Sequence, residues 1–134
     1  MTFVLDASAM IAFLRDEPGA AIVADALLDA ESKCYAHALN FCEVFYDFCR
    51  VSGRKEAMNA VLDLRSLGVV EDADLSIATW QAAGVLKARH RRVSLADCFA
   101  LELAERLGGV ILTADHHEFD VLVAQATHSI RFIR

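Results

Sequence analysis

Five short apolar runs punctuate the chain: TFVLD near the start, KCYAHA at 33–38, GVVED at 68–72, GVILTAD at 109–115 and SIRFIR at the end. Each has the length of a strand, most carry β-branched residues, and stretches of helical periodicity separate them. Short strands alternating with amphipathic helices predict an α/β domain: a central parallel sheet of about five strands, flanked by helices on both faces. In such folds ligands gather at the carboxyl ends of the strands.

The helical stretches carry their own stop signals. Pro18 suits the first turn of PGAAIVADALLDAE, and ALNFCEVFYDFCRVSG spaces Phe41, Phe45, Phe48 and Val51 as one apolar face ending at Gly53. A helix from about 54 to 67 ends at Gly68 in the same way. Further helices are read in DLSIATWQAAGVLKARH and SLADCFALELAERLGG, with a shorter one after Asp115. A single proline and the lack of any low-complexity tract leave no linker on which to divide the 134 residues, so residues 1–134 are expected to form one domain.

Apolar residues make up 56% of the chain and mean hydropathy is +0.36, rich for a small domain, so a partner or a second copy is expected to cover part of the surface. The net charge of −6 argues against nucleic-acid binding through bulk electrostatics, although a local basic patch would suffice. Cys34, Cys42, Cys49 and Cys98 show no C-x-x-C spacing and lie in stretches that read as core. Reduced thiols fit better than zinc ligands or disulfides. No basic leader and no membrane-length apolar run are present, which places the expected location in the cytoplasm.

Four acids stand out by position. Asp6 closes the first strand and Asp115 closes GVILTAD, so both project from the carboxyl edge of the sheet. Asp97 lies in the first turn of the helix leading into GVILTAD, and Glu43 lies on the polar stripe Asn40, Glu43, Asp47, Arg50 of an apolar helix. Each has a structural alternative. Asp6 and Asp115 can cap the helices that follow, SLAD fits a capping box with Ser94, and Glu43 can be a solvated helix residue. If the four converge, their repulsion raises their pKa values unless a cation sits among them, and hard oxygen ligands suit Mg²⁺ or Mn²⁺.

At these residues the chain resembles the PIN-domain ribonucleases, and among them the VapC toxins of bacterial toxin–antitoxin pairs. The resemblance rests on VLDASAMIAFL with Asp6 and Ser8, ALNFCEV with Asn40 and Glu43, VSLADCFALELAERLG with Ser94 and Asp97, and ILTADHHEF with Thr113 and Asp115. It implies a PIN-like three-layer fold and a Mg²⁺- or Mn²⁺-dependent endoribonuclease leaving 5′-phosphate and 3′-hydroxyl ends. Asp6, Glu43, Asp97 and Asp115 would be the catalytic and metal-binding acids, with Ser8, Asn40 and Thr113 as supporting polar groups. It also implies a homodimer and a cognate antitoxin, for which Phe13, Leu14, Phe45 and Phe48 are candidate contacts.

Lys87, Arg89, Arg91 and Arg92 in KARHRR are candidate RNA phosphate contacts, or the solvated basic end of a helix. Departures from the family pattern are Cys42 before Glu43, the aromatic helix around it, and His116 and His117 after Asp115. The histidines can tune the site, touch RNA, ligate a softer metal or stay in an exposed loop. Glu118 can supplement the acids or serve as a first-turn helix residue. Two alternatives remain: a PIN-like module that binds RNA or protein without cutting, and a haloacid-dehalogenase-like phosphatase. The latter wants an Asp where Ser8 stands.

Overall fold

The computed structural model describes residues 1–134. Strands β1 (Thr2–Leu5), β2 (Lys33–His37), β3 (Val69–Asp72), β4 (Val110–Thr113) and β5 (Ile130–Phe132) form one all-parallel sheet in the order β3-β2-β1-β4-β5. Between them run α1 (Ala7–Leu14), α2 (Ala20–Leu28), α3 (Ala38–Ser52), α4 (Arg54–Ser66), α5 (Ile77–Arg89), α6 (Leu95–Leu107) and α7 (His116–Gln125). This is the expected three-layer α/β arrangement.

The alternation of side chains along each strand divides the core in two. Phe3, Leu5, Cys34, Ala36 and Leu112 point into a cluster with α1, α2 and the buried residues of α3 and α4. Val4 and Ile111 point the other way, into a cluster with α5, α6 and α7. Both faces of the central strands are therefore dry, which explains why those strands read as continuous apolar runs. Helix α6 is enclosed almost all round: every residue from Asp97 to Ala104 is buried. That position, at the centre of the second layer, forces Asp97 out of water.

Several expectations shift in detail. Helix α2 starts at Ala20 behind Gly19, so Pro18 lies in the preceding turn rather than in the helix. The aromatic face of α3 fades along its length: Phe41 is buried, Phe45 and Phe48 are half-buried, and Val51 is exposed because the helix runs past the core. Cys34 and Cys98 are core residues, whereas Cys42 is exposed and Cys49 half-buried. No helix is long and apolar enough to cross a membrane.

Gly19 joins the first layer to the end of the chain. Its φ is +96°, and a Cβ there would stand 2.5 Å from the carbonyl oxygen of Ile133. Gly68, with φ +107°, has nothing within 4 Å of the same position. Gly19→Ala should therefore cost about 2 kcal/mol or more in urea unfolding, combining left-handed strain with displacement of the C-terminal segment, while Gly68→Ala should show the smaller conformational loss alone.

Candidate active site

The chain adds β2 and β3 on one side of β1, then crosses back to add β4 and β5 on the other. This reversal opens a crevice at the carboxyl ends of β1 and β4, where open α/β sheets bind ligands. Asp6 leaves β1 at that point, and Thr113 and Asp115 leave β4.

Asp6 is only 1% exposed, and two hydroxyls hold its carboxylate. Ser8 Oγ donates to Oδ1 at 2.7 Å and accepts from the Ala114 amide at 2.9 Å. Thr113 Oγ1 donates to Oδ2 at 2.5 Å and accepts from the Asp115 amide at 3.0 Å. Each hydroxyl thus links the acid after β1 to the backbone after β4. Asp6 Oδ1 also accepts from the Ala9 amide at 2.9 Å and caps α1, so the capping role and the crevice position coexist in one side chain. Asp115 likewise caps α7, accepting from the Glu118 amide at 3.0 Å.

Ser94 caps α6 by accepting from the Asp97 amide at 3.2 Å. In a full capping box the acid three residues on would return the bond to the cap's own N–H. Here Glu118 on α7 does so instead, its Oε1 accepting from the Ser94 amide at 3.1 Å. Asp97 is thereby relieved of a local backbone bond. The sequence left Glu118 open between a supplement to the acids and a first-turn helix residue, and gave no sign of its bond to Ser94.

From the α3 side come Asn40 and Glu43. Asn40 is fully buried, and its Nδ2 donates to the Ala96 carbonyl at 3.3 Å. That carbonyl can only accept, which fixes the amide's orientation. The other half of the polar stripe is separate: Asp47 pairs with Arg15 at 2.7 Å and Arg50 at 3.0 Å.

The acids feel one another strongly. Burial, opposed by the hydrogen bonds of Thr113, Ala9 and Ser8, lifts Asp6 to about 6. Burial and the charges of Asp6, Glu118 and Asp115 lift Glu43 to about 7. Burial first, then the adjoining Glu118 carboxyl and the charges of Asp6 and Glu43, hold Asp97 far above the ordinary carboxylate range. Asn40 Oδ1, Glu43 Oε1, Asp97 Oδ1 and Glu118 Oε2 are buried acceptors without a partner. Four such oxygens in one small crevice are a large departure from the rule that buried polar atoms are satisfied. Carboxyl groups that would give up their protons to a cation, with an amide oxygen beside them, are hard donors that fit Mg²⁺ or Mn²⁺. No three His, Cys, Asp or Glu side chains already stand as a closed ligand set.

Of the basic candidates, Lys87 is committed to its own loop, its Nζ donating to the carbonyls of Arg91 at 2.9 Å and Val93 at 2.7 Å. Arg89, Arg91 and Arg92 are exposed beside the N-terminus of α6. His116 and His117 open α7 rather than lying in a loop. His116 bonds Asp120 and the Arg134 carbonyl, both at 2.8 Å, and stacks on Phe132.

Fold and crevice together define an α/β domain with an acidic pocket at its topological switch point. A sequence profile of the PIN domain matches residues 3–123, and the chain belongs to the PIN-domain family. Comparison with curated proteins finds no match. Among solved structures the chain is similar to VapBC2 of Rickettsia felis, bound to a promoter DNA fragment, at 12% identity over 98% of each chain with a TM-score of 0.73. It is also similar to DNA-bound VapBC of Salmonella typhimurium, at 14% identity over 100% of this chain and 99% of that one, with a TM-score of 0.72. A third is VapC20 of Mycobacterium tuberculosis, described as a toxin cleaving the sarcin–ricin loop, at 13% identity over 94% and 95% with a TM-score of 0.71. At such identities the likeness shows the fold.

The raised acids set a sign for pH dependence. Without metal, the folded chain keeps protons on Asp6 and Glu43 that the unfolded chain, with ordinary values of 3.8 and 4.5, has lost. Their stabilising contribution is present below those values and disappears as pH rises through about 6 to 7. The melting temperature in chelator should therefore fall across this window, and less steeply for Glu43→Gln. Added Mn²⁺ should raise it more above the window than below, where protons compete for the carboxylates.

Proposed function

We propose that this protein is a divalent-metal-dependent endoribonuclease and the toxin of a toxin–antitoxin pair, acting in the cytoplasm. The observation that carries the reading is the crevice itself, where Glu43, Asp97 and Glu118, from three helices of a PIN-family chain, each bury an unpartnered oxygen beside the satisfied carboxylate of Asp6. The structural neighbours named as VapBC and as a sarcin–ricin loop cleaving toxin support it.

In this reading Asp6, Glu43, Asp97 and Asp115 hold the cation, with Glu118 beside them. When bound, the cation would lower the pKa of a water and stabilise the charge that builds on the scissile phosphate. The chain's own groups do the positioning. Ser8 and Thr113 fix the plane of the Asp6 carboxylate, Ser94 and Glu118 fix the start of α6 beneath Asp97, and Asn40 ties α3 to the same point. Arg89, Arg91 and Arg92 attract the RNA backbone towards an otherwise acidic protein, and Lys87 holds their loop.

The half-buried Phe13, Leu14, Phe45 and Phe48, with the exposed Tyr46 nearby on α3, supply an apolar surface for an antitoxin segment. The exposed Ile77 and Trp80 on α5 are available to a second copy of the chain.

The decisive test is incubation of total RNA with partner-free protein in Mg²⁺ or Mn²⁺, in chelator, and beside Asp97→Asn. Discrete cuts with 5′-phosphate ends are expected, with Asp97→Asn slower by on the order of 100-fold or more while remaining folded. Cutting by that variant at the wild-type rate would refute the site assignment. Absence of cuts from folded protein in either metal would favour a non-cleaving binding module.

Thr113→Val removes both the donor to Asp6 and the acceptor for the Asp115 amide. It should lower stability by about 1–3 kcal/mol in denaturant titration and slow cleavage by roughly 10- to 100-fold.

A further inference from the structure

Helix α3 starts behind His37, a cap unlike the other side-chain caps of this chain. Asp6, Ser76, Ser94 and Asp115 cap α1, α5, α6 and α7 with the short groups that helix N-termini favour. His37 is larger and fully buried. We propose that it is a positioning residue for Glu43: it fixes the start of α3 against the segment before α5, and so sets where the Glu43 carboxylate stands among the other acids. The proposal rests on the metal-dependent nuclease reading and adds to it the group that places one of the metal-binding acids.

The need for such a group comes from Glu43 itself. Asp6 is held by two hydroxyls and an amide, and Asp115 by its bond to the first turn of α7. No comparable bond holds Glu43, whose Oε1 is buried without a partner. The place of its carboxylate therefore follows from the place of its helix. Asn40 gives α3 one link to α6, through the Ala96 carbonyl at 3.3 Å. His37 gives it another.

The Leu39 amide donates to His37 Nδ1 at 3.1 Å, so that nitrogen carries no proton. Nε2 lies 2.9 Å from the Asp74 carbonyl, which can only accept, so the ring proton is on Nε2. A serine or asparagine in this place would cap the helix but fall short of Asp74. The imidazole also lies against Phe99 of α6, with 4.9 Å between ring centroids.

The Asp74 carbonyl is itself held still. The Asp74 amide donates to Asp72 Oδ1 at 3.0 Å, and its carboxylate accepts from the Ser76 amide at 2.8 Å and the Thr79 hydroxyl at 2.9 Å. Arg106 grips the Asp72 carboxylate at 3.0 and 3.2 Å and pairs with Glu102 at 2.8 Å. Glu102 and Arg106 both belong to α6, the helix that carries Asp97. A continuous chain of bonds thus runs from the helix of Asp97 to the helix of Glu43, and His37 is its last link.

Asparagine and glutamine separate the two bonds of His37. The amide oxygen of His37→Asn takes the place of Nδ1 and keeps the cap; the amide nitrogen of His37→Gln reaches the place of Nε2 and keeps the tie to Asp74. Neither retains the ring against Phe99. The test titrates Mn²⁺ into each full chain, with folding checked by the urea midpoint. His37→Asn should stay folded and bind Mn²⁺ about tenfold more weakly, with a lower kcat for RNA at subsaturating Mn²⁺ and an unchanged KM. His37→Gln should lower the urea midpoint yet bind Mn²⁺ as the wild type does. In a Glu43→Gln background, adding His37→Asn should cause no further loss of Mn²⁺ affinity. Asp74→Ala, which leaves α3 untouched and frees the partner segment, should weaken Mn²⁺ binding in the same direction.

Unchanged Mn²⁺ affinity in folded His37→Asn or in Asp74→Ala would overturn the proposal. So would an equal loss in His37→Gln, which would assign the effect to the cap or the Phe99 contact, or an undiminished loss in the Glu43→Gln background. If the wild-type chain bound no Mn²⁺, the metal-dependent reading and this proposal would fall together. If it bound Mn²⁺ and cut no RNA, the nuclease reading alone would fail, and the Mn²⁺ affinities would still judge His37.

Discussion

The carboxylate of Asp6 is almost wholly withdrawn from water, and the arrangement of the crevice depends on how it is tolerated there. Removing a charged group from water costs several kcal/mol unless hydrogen bonds replace its hydration. Three donors do so: the Ser8 and Thr113 hydroxyls and the Ala9 amide. Because the hydroxyls also accept from the backbone after β4, the same bonds align the ends of two strands more than 100 residues apart in sequence. The register of β1 against β4 and the position of the acid are therefore a single structural fact.

Around that satisfied acid sit others that are not satisfied. Glu43, Asp97 and Glu118 each bury an oxygen with no partner, and Asn40 does the same with its amide oxygen. A sequence selected for stability alone would replace such groups with apolar ones of similar volume. Their retention in a chain that satisfies the backbone of α1, α6 and α7 with side-chain caps places the conflict in one region. Local violations of otherwise consistent rules tend to mark working sites.

Much of this was readable in the sequence, for identifiable reasons. Strands buried on both faces announce themselves as apolar runs, and acids at their ends mark the carboxyl edge, so the sheet and the positions of Asp6 and Asp115 followed from pattern. What pattern could not supply was lateral contact. The bracing of Ser94 by Glu118 joins residues on different helices, and no periodicity encodes it. Nor did composition distinguish Lys87, bound to its loop, from the neighbouring arginines that are not. The start of α2 moved for a similar reason: Gly19 lies against Ile133, a contact visible only in three dimensions. The apolar face of α3 was read as uniform, yet its burial depends on where the core ends.

The strand order has a temporal consequence. The acids are contributed by segments from residue 6 to residue 118, and the two hydroxyls that orient Asp6 come from opposite ends of that span. β1 gains its partner β4 only after six of the seven helices have been made. A growing chain on the ribosome therefore cannot complete the crevice until β4 and the start of α7 have emerged, however well its first half has folded. Under the nuclease reading proposed above, latency during synthesis is built into the topology, because the Thr113 hydroxyl and the carboxylates of Asp115 and Glu118 are the last parts of the crevice to be made.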